Sequence, residues 1–328
     1  MYSNVSSIDP RDPAHYFKPN ILDSADIDLS AYLDIQEKNM VRPASDFVKD
    51  LIEAFYGDKE KMGLSLPWSK AQNLIKLRPG ELSLWTGHKG HGKSLFLSQI
   101  ILHAMTRDER ALILSLEFNP TDVLKRKVTQ AAATRDPAIP YIKAWCEWAR
   151  SRLWLYNCRG NQKWTSVLAI LRYALDKFGI SHVVVDSLMK CGIAPGDYDT
   201  QKRFMDGLNN FSHDTGCHVH LVAHSRKGVD DSKMAELYDV KGTSELVDMA
   251  ENVFSVWKNK KKINDASAGG AKYVDEPDAV FLCDSQRNGD WTGKFNLWFH
   301  TASGQYVESA NARPKVYWEM EGAADYVH

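Results

Sequence analysis

The stretch GHKGHGKS, residues 87–94, decides how the rest of the chain is read. It fits G-x-x-x-x-G-K-[ST] at every fixed position: Gly87, Gly92, Lys93 and Ser94, with Gly90 a further glycine between them. Average composition yields such an octet by accident in on the order of one chain of this length in a hundred. Its setting lowers that further. ELSLWTG, a short apolar strand, runs straight into it, and SLFLSQIILHAM follows as a helix. A strand, a glycine-rich turn and a helix N-terminus bring backbone N–H groups onto an anion, so the octet reads as a phosphate-binding loop. Lys93 then reaches the β- and γ-phosphates, and the Ser94 hydroxyl holds Mg²⁺. His88, Lys89 and His91 fill the variable positions and are expected only at the loop surface.

Outward from the loop, strand candidates alternate with helical or loop stretches: ALILSLEF (111–118), RLWLYNC (152–158), SHVVVDSL (181–188), CHVHLVAHS (217–225), NVFSVWKN (252–259) and AVFLCDSQ (279–286). A hairpin-like end, KFNLWFHTASGQYVES (294–309), closes the set. Near-continuous apolar strands imply a sheet buried on both faces, and alternation with helices implies mostly parallel pairing. Several polar residues then fall at strand ends. Asp186 closes VVVD, where a carboxylate holds Mg²⁺ directly or through water. Glu117 ends the strand after the loop's helix, where it can orient and deprotonate an attacking water. His224, in VAHSRK, can contact the γ-phosphate and report its loss to the next loop. Open parallel sheets bind ligands at the carboxyl ends of their strands, so one nucleotide site is the economical reading.

The flanks read differently. Residues 1–44 are polar, carry Pro10, Pro13, Pro19 and Pro43, and read as an arm with little core of its own. Residues 45–60 hold a short helix, with Ser45 as its N-cap, Phe47, Leu51, Ile52 and Phe55 on one face and Gly57 at its end. That face requires cover, from its own domain or from a neighbouring subunit. The core spans 61–309. Within it, KKKINDASAGGAKYVDEP (260–277) reads as a mobile surface insertion. The tail, 310–328, ends in alternating acidic and aromatic residues.

Composition narrows the function. The 328 residues are 44% hydrophobic and 25% charged, and the net charge of −1 provides no global field for a polyanion. Contacts to nucleic acid must come from local clusters. Arg226, Lys227, Lys233 and Lys241 form one in the stretch after His224, and Lys190 follows Asp186 in a second loop. These loops suit the phosphates of a single strand. Arg287, in SQRNGDWTG, sits at a strand end far along the chain from the phosphate loop, as do arginines that complete a neighbour's site in ring ATPases. Five scattered cysteines with no C-x-x-C pair point to reduced thiols and away from a zinc ribbon. No signal peptide and no membrane span are expected.

The ordered set GHKGHGKS, SLEF, VVVDS, VAHSRK, VKGTSELVDMAENVFSV and SQRNGDWTG resembles the helicase domain of DnaB-type replicative helicases, closest to the phage primase–helicases and the related mitochondrial helicase. The resemblance covers residues from about 60 to 309. It implies an α/β fold: a RecA-like P-loop NTPase core, a mostly parallel sheet with helices on both faces, and an N-terminal arm and linker helix. It also implies a hexameric ring that translocates on single-stranded DNA with ATP or another NTP and Mg²⁺. Carried over, Lys93 and Ser94 bind phosphate and metal, Asp186 is the metal-linked carboxylate and Glu117 is the catalytic base. His224 is the γ-phosphate sensor and Arg287 the arginine finger acting in trans. Lys258 matches a basic nucleotide-site position, and Phe299 and His300 align with a base-stacking position. The helix at 46–56 matches a linker packed on the adjacent subunit. The family usually has Lys two residues before the finger, where this chain has Ser285. The motifs include no primase, so priming would fall to another protein, and the tail resembles tails that recruit polymerases or single-strand-binding proteins. A phage or similar replicon, and hence a cytoplasmic setting, is the expectation. Two other readings stand beside the helicase: a RecA-like recombinase, and a RecA-fold ATPase acting as a loader or regulatory switch.

Overall fold

In a computed structural model, the structure describes residues 20–22, 28, 30–32, 43–57, 63–158, 160–194, 196–224 and 245–320. The elements, in chain order, begin with β1 (Asn20–Leu22), α1 (Val48–Tyr56), β2 (Leu64–Ser65), β3 (Lys76–Leu77), β4 (Leu82–Thr86), α2 (Lys93–Met105), β5 (Ala111–Ser115), α3 (Pro120–Ala132) and α4 (Ile139–Ala149). They continue with β6 (Leu153–Tyr156), α5 (Trp164–Phe178), β7 (His182–Asp186), α6 (Tyr198–Thr215), β8 (His218–Val222), α7 (Glu245–Met249) and β9 (Asn252–Lys258). The last are α8 (Lys260–Ser267), β10 (Ala279–Gln286), β11 (Gly293–His300) and β12 (Gln305–Val307).

Ten of the described strands form one sheet in the order β1-β6-β5-β7-β8-β4-β9-β10-β11-β12. The seven from β1 to β9 pair in parallel, and the last three add antiparallel. Every residue of β4, β5, β7 and β8 is buried, as their unbroken apolar runs require. One core lies between the sheet and α2, α3 and α4, around Trp85, Phe96, Trp145 and Phe281. The other lies under α5, α6 and α7, around Leu84, Val185, Leu171 and Phe204. Helix α2 is apolar on nearly all sides and is correspondingly buried along almost its whole length. The fold is α/β and mostly parallel, with helices on both faces, as the sequence implies.

The flanks and one insertion in the core depart from the reading of the sequence. The arm supplies β1, whose Ile21 pairs with Leu155 at the sheet edge. Tyr32, also in the arm, packs edge-on against Tyr173 and accepts a hydrogen bond at its carbonyl from Arg172. Ser45 is not the N-cap of the following helix, because a 3-10 turn over Ala44–Phe47 begins behind Pro43. The apolar face of α1 stays uncovered within the chain, with Leu51 and Ile52 each 56% exposed and Phe55 73% exposed. Residues 260–277, read as a mobile insertion, contain α8, capped by the Asn259 side chain and fastened by a 2.9 Å Lys262–Asp278 ion pair. Finally, part of the tail is docked. The Tyr317 N–H bonds Ala131 O, its hydroxyl accepts from Gln99, and Trp318 packs on Tyr141 and Trp148. Tyr317 is therefore buried and Trp318 half-buried against the chain's own core, while Glu321, Asp325 and Tyr326 lie outside the described residues. None of the described helices is long and apolar enough to cross a membrane.

Three histidines cross the buried floor of the sheet. Trp85 Nε1 donates to His220 Nδ1 at 3.2 Å, so His220 carries its proton on Nε2, which lies 3.3 Å from His182 Nδ1. His218 Nδ1 must donate to the Arg78 carbonyl at 2.6 Å, and its Nε2 then accepts from Ser83. Burial holds His182 down to about 3 and His218 down to about 4. All three rings are therefore neutral in the fold but gain protons on unfolding below about pH 6.5. Stability should fall as pH drops from about 7 to about 5, by up to about 1.4 kcal/mol per pH unit for each histidine. Urea midpoints measured across that range check this. A His182→Asn variant should show a shallower slope, and a flat profile in the parent protein would contradict the buried neutral cluster.

Candidate active site

Strand β4 ends at Thr86, and the chain turns through three left-handed glycines before α2 begins at Lys93: Gly87 at φ 130°, Gly90 at 83° and Gly92 at 90°. Two of them are also needed for space. A Cβ on Gly87 would stand 2.4 Å from Val256 O, and one on Gly92 would stand 2.2 Å from the Tyr306 hydroxyl. The two histidines expected at the loop surface are buried instead. Their rings lie 5.1 Å apart, and His91 Nδ1 accepts the Lys258 backbone N–H at 3.2 Å. The loop is thus latched to β9, and its variable positions take part in holding its shape.

The Lys93 ammonium lies inside the loop and donates to Gly87 O at 2.6 Å and His88 O at 3.0 Å. Burial lowers it to about 8, against the opposing pull of Asp186 and Glu117, so it remains a cation at neutral pH. Ser94, one residue on, donates from Oγ to Asp186 Oδ2 at 2.5 Å. Asp186 closes β7 in near-complete burial, which raises its pKa while the Ser94 hydrogen bond opposes the rise. A hydroxyl and a buried carboxylate are hard oxygen donors that suit Mg²⁺. No group of three or more metal-binding side chains occurs among the described residues, so such an ion would need phosphate oxygens and water to complete its shell.

Glu117 stands two residues past the end of β5. It accepts from Ser187 Oγ at 3.0 Å and lies 3.4 Å from His224 Nε2, just beyond β8. The His224 hydrogen bond is the largest influence on it. With Ser187 and the Lys190 charge, it outweighs burial and holds Glu117 down to about 2. The carboxylate is therefore charged throughout the physiological range and can orient a water through its oxygens.

These groups share one cleft of about 370 Å³, lined by Lys93, Ser94, Glu117, Asp186 and His224 from the loop and the strand ends, with Lys258 and Phe299 at its other side. His300, expected beside Phe299, is engaged elsewhere: its Nδ1 lies 2.8 Å from Ser303 Oγ in the β11–β12 turn. Arg287 is not in the cleft. Its backbone N–H bonds Glu251 O and its guanidinium pairs with the Glu251 carboxylate at 3.2 Å, at the start of β9. The length of β9 separates it from the loop by roughly 20 Å, beyond the reach of an arginine side chain. Lys190 occupies the turn after β7. Arg226, Lys227, Lys233 and Lys241 lie outside the described residues. A larger hollow of about 590 Å³ opens at the opposite edge of the sheet, near His103, His182 and His218. It has no glycine-rich loop and no strand-end carboxylate pair, so size alone does not select the site.

Three residues in or behind the cleft give little or no signal in the sequence. Ser187 adjoins Asp186 and gave its only signal by that adjacency. Tyr306 and Arg126 line the cleft from β12 and α3, and no local pattern marks either.

Two outcomes follow from this geometry. Replacing Gly92 with Ala should lower nucleotide turnover at least tenfold, since it meets Tyr306 in a backbone conformation that disfavours a side chain. Parent-like steady-state rates would show that the loop adapts. Replacing His224 with Ala removes the main influence holding Glu117 low, so the acid limb of the rate–pH profile should move upward. An unmoved limb would show that Glu117 is not the group titrating.

Comparison with known proteins bears on the fold that holds this cleft. Residues 69–230 match the family described as AAA domain. The Arabidopsis thaliana Twinkle homolog protein, chloroplastic/mitochondrial, is 23% identical over 238 residues, covering 64% of this chain and 33% of that protein. The chain thus spans about a third of the length of that curated relative. A solved DnaB-like replicative helicase, studied with its interactions with primase, superposes with a TM-score of 0.66 at 13% identity, over 81% of this chain and 68% of the other. A separately solved ATPase domain superposes at 0.63 with 15% identity, over 83% of this chain and 99% of the other. At these identities the superpositions show the fold: the chain shares the mostly parallel α/β fold of these solved domains.

Proposed function

We propose that this chain hydrolyses ATP or another NTP and uses the energy to move along single-stranded DNA as a ring-shaped helicase, most simply a hexamer. The observation that carries the proposal is the division of its chemistry between two edges of one sheet. The phosphate loop, Asp186, Glu117 and His224 converge at the carboxyl edge, and Arg287 stands at the other, out of reach of its own site. An arginine so placed can reach a nucleotide only in a neighbour's site, which requires subunits to repeat around a ring or along a filament. The uncovered apolar face of α1 suits the same arrangement, since it needs cover that its own chain does not supply.

In this reading the loop N–H groups and Lys93 hold the phosphates, and Lys93 exchanges its two loop carbonyls for phosphate oxygens. Ser94 and Asp186 would hold Mg²⁺, which when bound neutralises charge on the phosphates. Glu117 orients the attacking water and takes its proton. His224 touches that carboxylate and directly precedes in sequence the basic stretch 225–244, so loss of the γ-phosphate would be felt where Arg226, Lys227, Lys233 and Lys241 grip DNA, with Lys190 as a further contact. Lys258 and Phe299 bind the base end. A cytoplasmic setting, and contacts with a primase, polymerase or single-strand-binding protein, belong to the same proposal.

The test is ATP hydrolysis with and without single-stranded DNA, across protein concentration. DNA should stimulate the rate, with a steep dependence on concentration. Lys93→Ala and Arg287→Ala should each be inactive alone but regain some turnover when mixed, because a mixed interface pairs an intact loop with an intact arginine. No recovery would place the arginine outside the neighbour's site. Weak hydrolysis indifferent to DNA and to concentration would point instead to a switch.

A further inference from the structure

Arg126 has no role in any of this, yet it lies in the cleft. It projects from α3, on the helix side that also carries the buried Val123 and Gln130. The adjacent Lys127 is wholly buried and donates its ammonium to Ser98 O at 3.0 Å. Arg126 does no such thing. Its guanidinium sits 4.1 Å over the ring of Phe118, the residue after Glu117, and makes no hydrogen bond or ion pair among the described residues. Stacking on an aromatic face fixes the plane of a guanidinium and leaves its N–H edge free. Its N–H donors face the cleft and are available to an acceptor that enters it.

Its position indicates which acceptor. Arg126 lines the main cleft with Lys93, Ser94 and Glu117, and it also lines a small adjoining hollow with Ser94, Ser115 and Asp186. Both lie on the Glu117 side of the loop, where the reacting end of a nucleotide would be, whereas Lys258 and Phe299 mark the other side. We propose that Arg126 is a cis-acting phosphate ligand that contacts the terminal phosphate of ATP, held ready by Phe118. The proposal rests on the nucleotide reading of the cleft. It gives the site a cation of its own beside Glu117, distinct from the arginine a neighbour would supply. Arg126 then favours the triphosphate over the diphosphate, and Phe118 acts as a positioning residue.

The experiment compares equilibrium binding of a slowly hydrolysed ATP analogue and of ADP, each with Mg²⁺, to the full chain and to Arg126→Met, Arg126→Lys and Lys93→Ala. Methionine keeps an aliphatic stem over Phe118 and removes the charge, and unchanged melting of that variant confirms its fold. Loss of one charged hydrogen-bonding contact should weaken the ATP analogue by about tenfold or more, ADP by much less, with partial recovery in Arg126→Lys. Equal losses for both nucleotides, or none, overturn the assignment. If Lys93→Ala also leaves both affinities unchanged, the nucleotide reading itself fails; if only the Arg126 variants are neutral, this inference alone fails.

Discussion

The hydrogen bond from Ser94 to Asp186 is the contact on which the rest of the site depends. It joins the first turn of α2 to the last residue of β7, across the space a phosphate-bound cation would occupy. With it in place, Asp186 and the loop are fixed relative to each other, and Ser187 is set to hold Glu117. Glu117 in turn meets His224 at the next strand end. Four elements are thereby linked through side chains that are short or buried and have few rotamers to choose from. The order of the central strands, with β5, β7, β8 and β4 as consecutive neighbours, is what brings these ends into one row.

The cleft carries more positive than negative charge, with Lys89, Lys93, Arg126 and Lys258 facing Glu117 and Asp186. Lys93 is buried and its proton is retained with the help of two carboxylates, while its hydrogen bonds go to the loop's own carbonyls. Asp186 is pushed toward neutrality by the same burial, and Glu117 is pushed the other way by its hydrogen bonds. Two carboxylates in one site are thus driven in opposite directions, Asp186 upward and Glu117 downward. The division follows from environment, because the strand ends that carry them differ in depth and in partners.

Most of the site was legible in the sequence because its residues sit where backbone geometry fixes them: at a glycine turn, at the start of a helix and at the ends of apolar strands. The strands were legible for the same reason, and β10 coincides with AVFLCDSQ. What escaped lies across the fold. Tyr306 reaches Gly92 from a strand more than two hundred residues away, Ser187 matters only because Glu117 faces it, and Arg126 acts through a helix whose pattern is ordinary. His88 and His91 were misjudged because the docking of the loop on β9 is a tertiary contact. His300 was misplaced by one alternation of a hairpin, since the tight turn at Ser303 draws its ring away from the cleft. The arm and tail read as polar and separate, but a three-residue strand and two docked aromatics are too short to leave a periodic signal.

The central claim is that the cleft at the carboxyl edge, and not the larger hollow at the other edge, holds the nucleotide. The most direct measurement is photolabelling with an azido-adenine analogue of ATP in the presence of Mg²⁺, followed by peptide mapping. The account predicts label on the peptides carrying Lys258 and Phe299, suppressed by excess unlabelled ATP. Competable label on peptides carrying His103, His182 or His218 would place the nucleotide at the opposite edge and contradict it.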